Sequence, residues 1–587
     1  MEDVSFQTTN SAALSRGLKE YLAFLYPERD PQALTREVVS AFWPEGARRR
    51  KRGRIPGNTM WSQRDALLIT YGDTLRDGVH KPLDLLYDFL LGNLKNVVNG
   101  VHILPFFPFT SDDGFAVSDF RAVNPQLGDW TDIRRISADF KLMSDLVLNH
   151  VSSQGRWFNA YLQGQEPFDR FFFEASPSDD LSMVVRPRTT PLLREVNTAN
   201  GPRHVWCTFS HDQIDLDFRN PEVLLEFLRI IRLHIDNGVQ IIRLDAVAFL
   251  WKEIGSPSIH LRQTHAVVKL MRLLCDYAVE PVVLLTETNV PKAENLSYFG
   301  DRDEAHVIYN FPLPPLILHA MITGTARHLA KWQRAMPPAP LGCAYLNFTA
   351  SHDGIGMRPA EGLLSPEDQA VMIETVRRIG GLVSMRALPD GGESPYELNT
   401  TFYDAMSQTV DGPDEYHLAR FICSQTIVMS LEGIPAFYIH SILATPNDHA
   451  SVEKRGMNRA INRHRWDYDA LRSRLANPGS PQAQVMNQMR VRLQIRREQT
   501  AFHPNATQFT LPAVDDRVLA LWRQSLDRRQ SIFALHNVSA ETVTISETAL
   551  NLIADLTWID LLSGDQIGNG DISLAPYQCR WISNTGH

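Results

Sequence analysis

The chain has 587 residues, a formal net charge of −9, 44% apolar residues and 21% charged ones, which is the balance of an ordinary globular enzyme of two or three domains. The mild acidity argues against a general nucleic-acid binder. The five cysteines (Cys207, Cys275, Cys343, Cys423, Cys579) are scattered and contain no CxxC pair, so neither a disulfide framework nor a zinc site is expected.

In chain order, residues 1–60 read as a helical extension. Its start, "MEDVSFQTTNSAALSRG", lacks the basic and apolar segments of a secretory signal. The basic run Arg48–Arg54, with no interleaved aromatics, reads as a solvated connection rather than an anion patch. Then come eight short apolar runs: 66–73, 100–108, 142–150, 238–247, 281–289, 306–313, 344–353 and 434–442. Strands alternating with helical stretches predict parallel βαβ units, and eight of them close a (β/α)8 TIM barrel. The barrel is expected over 61–505, with an inserted lobe at 151–225 after strand three and an insertion at 355–430 after strand seven. Short alternating runs such as "RVLALWRQS" and "SIFALHNVS" predict a C-terminal antiparallel β-domain over 506–587. No uncharged apolar run is long enough to span a bilayer; no membrane contact and a cytoplasmic location are expected.

Strand four, "IIRLDAV" (241–247), carries two charges in an apolar run. Arg243 and Asp245 are two apart and therefore share a face. Ions in a dry interior cost several kcal/mol unless paired, so the strand is expected to end at a polar site. Other strands end alike: Asp145, Asn149 and His150 in "DLVLNH", Glu287 in "LLTETNV", and His352 with Asp353 in "ASHDGIG". The C-terminal mouth of a barrel is where such enzymes react. Three carboxylates converging there suit cleavage of a glycosidic bond, which passes through an oxocarbenium-like state. One carboxylate attacks the anomeric carbon, one carboxylic acid protonates the leaving oxygen, and a third steadies the ring. Arg243 is expected to hold the attacking carboxylate ionised.

"DLVLNH", "IIRLDAVAF", "LLTETN" and "FTASHD", in that order, resemble the signature segments of the α-amylase superfamily, glycoside hydrolase family 13. The resemblance implies Asp245 as nucleophile, Glu287 as general acid/base and Asp353 as transition-state stabiliser, with His150, Arg243 and His352 in support. "SDDGF" (111–115), "DQIDLDF" (212–218) and "NRAINRH" (458–464) are similar to the sucrose phosphorylase branch, which implies Asp112 and Arg459 around the glucose. Such enzymes pass a glucosyl–Asp intermediate to inorganic phosphate, giving α-glucose 1-phosphate. The N-terminal extension, "RPRTTPLL" and "ETNVPKAENLSYFG" resemble the glucosylglycerate-cleaving members, which implies glycerate, or else glycerol, as acceptor. Arg186, Arg188 and Arg358 are the candidates for binding that acceptor or phosphate, since guanidinium matches both anions. Fructose, its phosphate, or water remain alternative acceptors on the same scaffold. Many superfamily members use the Asn149 position for structural calcium, but the branch works without metal, so no metal and no cofactor are expected. A catalytically dead binding relative is the contrasting reading; the presence of all three carboxylates argues against it.

Overall fold

The computed structural model describes residues 2–45, 60–387, 392–512, 515–550, 552, 557–568 and 570–584. The basic run Arg48–Arg54 lies outside them. Eight parallel strands close a barrel: β1 (Leu67–Thr70), β2 (Gly100–Ile103), β3 (Lys141–Val147), β4 (Val239–Asp245), β5 (Val283–Thr286), β6 (Val307–Tyr309), β7 (Ala344–Asn347) and β8 (Ile434–Tyr438). Each pairs with its successor, and β8 pairs with β1. The strands are almost wholly buried, because side chains of one face fill the barrel while those of the other meet the helices.

The register matters for the chemistry. Asp145 of β3 lies opposite Arg243 of β4, and Val147 opposite Asp245. The intruding charges of β4 therefore meet a carboxylate from the neighbouring strand at the same height.

The helix before β4, Pro221–Asp236, begins with proline in its first turn, and the Asn220 side chain accepts the Glu222 amide, satisfying an orphan donor. The helix after β4 spans Arg262–Asp276. An N-terminal hairpin of two helices, Glu2–Leu25 and Pro31–Phe42, packs on the outer faces of these two. Leu14, Leu18, Leu22 and Leu25 recur at helical spacing and are buried. The extension thus braces the barrel wall behind β4.

Between β3 and β4, strand His150–Ser152 pairs with Gln213–Asp215, and a hairpin is formed by Leu193–Thr198 and Gly201–Trp206. Between β7 and β8 lie helix Pro366–Arg378 and a hairpin of Leu382–Ala387 with Glu393–Asn399, followed by the wall helix His417–Ser430. The C-terminal sheet is antiparallel, with strands Thr507–Thr510, Val518–Gln524, Ser531–Asn537, Cys579–Ser583 and Ile559–Asp560 in that spatial order. It docks on the wall helix, where Ser430 Oγ lies 2.9 Å from His536 Nε2 and accepts from Trp581 Nε1 at 2.9 Å. The five cysteines are buried thiols. Among the described residues no helix is long and apolar enough to cross a membrane.

Candidate active site

The eleven residues given a catalytic or binding role from the sequence line one cavity at the C-terminal mouth of the barrel, namely Asp112, His150, Arg186, Arg188, Arg243, Asp245, Glu287, His352, Asp353, Arg358 and Arg459, whereas Asp145 and Asn149 lie behind it. The reason is topological: βα loops from every strand converge at that end.

Arg243 Nη1 donates to Asp245 Oδ1 at 2.6 Å and to Asp145 Oδ1 at 2.5 Å. Asp145 is fully buried and also lies 2.6 Å from His102 Nε2. One guanidinium therefore serves two carboxylates, so the pull of Arg243 on Asp245 is shared with Asp145. Burial pushes Asp245 up to about 8; Arg243 opposes this, while the charges of Glu287 and Asp145 add to it. Glu287 is raised as well, by burial first; Arg243 pulls it down, while Asp353 pushes it up. Its Oε2 accepts the Ala246 amide at 3.1 Å, and among the described residues no cation is in salt-bridge contact with it. Ala246 sits in the left-handed region at φ 49°, a strained conformation for a residue with Cβ that turns its N–H onto the acid.

Asp353 goes the other way. Burial would raise it, but the guanidiniums of Arg459 and Arg463 hold it well below the usual carboxylate range. Arg459 Nη1 lies 2.6 Å from Asp353 Oδ1, and the same guanidinium makes a forked contact with Glu397. His352 is pushed down to about 3, chiefly by burial, and burial lowers His150 too. Both imidazoles are thus neutral near pH 7.

The Asp112 loop is an unusual turn. Asp112, Asp113 and Gly114 have φ of 53°, 49° and 116°, and a Cβ at Gly114 would lie 2.9 Å from the Pro105 carbonyl oxygen. Ions lock it: Asp113 pairs with Arg455 and with the buried Arg463. Arg463 Nε also donates to the His352 carbonyl at 2.8 Å, so one side chain ties the Asp112 turn to the Asp353 loop. Phe115 stacks on His352 with centroids 4.9 Å apart. Gln213 Nε2 lies 3.1 Å from His150 Nε2 and donates to Asp112 Oδ2 at 3.3 Å.

Among the described residues, Arg186, Arg188 and Arg358 have no carboxylate partner. Arg186 Nη2 donates to the Thr190 carbonyl, and Arg188 lies over the rings of Tyr396 (5.2 Å) and Phe209 (5.8 Å). Sequence reasoning missed Gln213, Arg386, Tyr396 and Glu397, which also line the cavity. Gln213 stood inside "DQIDLDF" without an assigned role. The other three come from the hairpin after β7, whose text, "LVSMRA" and "ESPYELN", carries no motif.

The position that would recruit calcium does not fit a divalent cation. Asn149 Oδ1 accepts from Lys252 Nζ at 2.6 Å, and the same ammonium lies 2.9 Å from Asp215 Oδ2. All three residues are buried. Replacing Lys252 by Met is expected to leave Asp215 uncompensated and to cost about 3–5 kcal/mol, read as a lower urea midpoint; a chelator is expected to leave activity unchanged.

Residues 77–353 match the family described as "Alpha amylase, catalytic domain". The chain is 44% identical over 573 residues to the glucosylglycerate phosphorylase of Allomeiothermus silvanus, covering 97% of this chain and 98% of that protein. It is 31% identical to a sucrose phosphorylase of Agrobacterium vitis, over 70% of this chain and 84% of the relative. In fold it is similar to the crystal structure of sucrose 6F-phosphate phosphorylase from Thermoanaerobacter thermosaccharolyticum (TM-score 0.71, 23% identity, 86% and 98% of the two chains). On the strength of these similarities, the chain belongs to the α-amylase superfamily, glycoside hydrolase family 13, in its sucrose phosphorylase-like branch.

Proposed function

We propose that the protein is a retaining phosphorylase that reversibly converts 2-O-α-glucosylglycerate and inorganic phosphate into α-glucose 1-phosphate and glycerate. Protonated Glu287 gives its proton to the departing glycerate oxygen while Asp245 attacks the anomeric carbon, and a glucosyl–Asp ester forms. Asp353, held ionised by Arg459, faces the positive charge that grows on the ring. A phosphate oxygen then displaces Asp245 from the face that glycerate left, and the Glu287 carboxylate takes back a proton from the incoming hydrogen phosphate, restoring the acid. Asp112, His150, His352 and Arg459 hold the glucose hydroxyls. Asp245 and Glu287 are both raised; sharing one proton between them, they place it on Glu287, because Asp245 alone has a guanidinium contact. Both steps are substitutions at an acetal carbon assisted by carboxyl groups, so neither needs a metal or an organic cofactor.

The acceptor assignment rests on Arg186, Arg188 and Arg358, cations of this cavity without carboxylate partners among the described residues. Two anions, glycerate and phosphate, visit the reaction in turn, and unneutralised guanidinium is the donor suited to both. The near-full-length similarity to a glucosylglycerate phosphorylase supports the same reading.

The test is the reverse reaction. With α-glucose 1-phosphate, phosphate release is expected to be fastest with glycerate, slower with glycerol, and at background with fructose or fructose 6-phosphate. Release with fructose but not with glycerate would contradict the acceptor. Arg358→Ala and Arg188→Ala are expected to raise the KM for glycerate about 10- to 100-fold, the worth of a hydrogen bond to a charged group, with a much smaller effect on glycerol.

A further inference from the structure

We propose that His319, His328 and Asp368 form a binding site for a transition-metal ion of the Zn2+ class, outside the cavity described above. The three residues come from three helices: Leu313–Thr323, Arg327–Ala335 and Pro366–Arg378. Their ligand atoms all lie within 4.8 Å of one another. His319 Nε2 is 3.2 Å from Asp368 Oδ1, and His328 Nε2 is 3.3 Å from Asp368 Oδ2.

These distances leave room for an ion between the three side chains. An imidazole N–H that donates to a carboxylate stands about 2.7–3.2 Å away, so His319 hydrogen-bonds Asp368 at the long end of that range. Elsewhere in this chain His–carboxylate contacts span a wide range, from 2.5 Å for His80–Asp77 to 3.4 Å for His306–Asp276 and 3.6 Å for His352–Asp353. The two contacts to Asp368, at 3.2 and 3.3 Å, fall inside that range. Around a tetrahedral ion with bonds of about 2.0–2.1 Å, neighbouring ligand atoms stand about 3.3–3.4 Å apart, close to the 3.2 and 3.3 Å that separate the two imidazoles from the two oxygens of Asp368. Two imidazoles and one carboxylate favour zinc-like ions over calcium or magnesium.

Access fits as well. His319 is buried, whereas the side chains of His328 and Asp368 are 29% and 27% exposed, so an ion can enter and a water can complete the coordination. Helix Pro366–Arg378 runs into the hairpin that carries Arg386, Tyr396 and Glu397 to the cavity. An ion here would pin that insertion to the barrel helices after β6.

The test uses metal-free full-length protein titrated with Zn2+ by calorimetry, and with Co2+ by visible absorption for tetrahedral geometry. One ion per chain is expected, with a rise in Tm on binding. His328→Ala and Asp368→Asn are each expected to weaken binding at least about 100-fold and to abolish the Tm rise, with metal-free phosphorylase activity unchanged in His328→Ala. Absence of binding to the wild-type chain, or binding that survives in both folded variants, would overturn the proposal. Neither result bears on the reaction, because none of the three residues lines the cavity.

Discussion

Asp245→Asn is expected to lower phosphorolysis by about 10⁴-fold or more, the scale on which loss of a nucleophile is felt, while the protein still folds. The substitution keeps the shape and removes the charge that attacks the anomeric carbon. It also relieves a crowded set of charges: Asp145, Asp245 and Glu287 surround the one guanidinium of Arg243. An unchanged or higher Tm together with absent turnover is therefore the expected pair of results. Turnover retained at even a hundredth of the wild-type rate would rule out a covalent intermediate on this residue. Mass spectrometry of the wild-type enzyme, quenched during turnover of a slow donor, is expected to find the added glucosyl unit on the peptide containing Asp245.

Glu287→Gln separates acid catalysis from nucleophilic attack. With glucosylglycerate the rate is expected to fall about 10²- to 10⁴-fold, the usual contribution of a positioned acid. α-Glucosyl fluoride carries a leaving group that needs no proton, and phosphate arrives already ionised. With that donor and phosphate the variant is expected to keep most of its activity. An equal loss with both donors would mean that Glu287 acts structurally. The pH profile follows from the same pair. The active form holds one proton between Asp245 and Glu287, so the rate falls at low pH when a second proton binds and at high pH when the last one leaves. Because Glu287 is raised, its alkaline limb is expected above the ordinary carboxyl range, and Glu287→Gln is expected to remove that limb with the fluoride donor.

The legibility of the site varied by residue. Asp245, Glu287 and Asp353 were readable because each closes an apolar run, and a strand of a parallel barrel ends at the mouth wherever it lies in the chain. The two-residue period placed Arg243 with Asp245 on one face. Glu397 was not readable: it lies in a hairpin of mixed burial, and its purpose shows only in the fork it makes with Arg459. The tuning of Asp245 was only partly readable, for a related reason. Adjacent residues suggest a private ion pair, but register brings Asp145 from β3 to the same guanidinium nitrogen. Lys252 likewise stands 103 positions from Asn149, and no local pattern links them.

Taken alone, the sequence determined the barrel and the convergence of three carboxylates, which follow from local periodicity and strand order, while the family was implied by the resemblance of four signature segments. The tertiary structure decided which charges share partners: Arg243 between two aspartates, Arg459 between Asp353 and Glu397, Lys252 between Asn149 and Asp215. It also left Arg186, Arg188 and Arg358 without carboxylate partners among the described residues. Protonation and anion affinity depend on charges a few ångströms apart in space, and only folding brings together groups separated by a hundred residues.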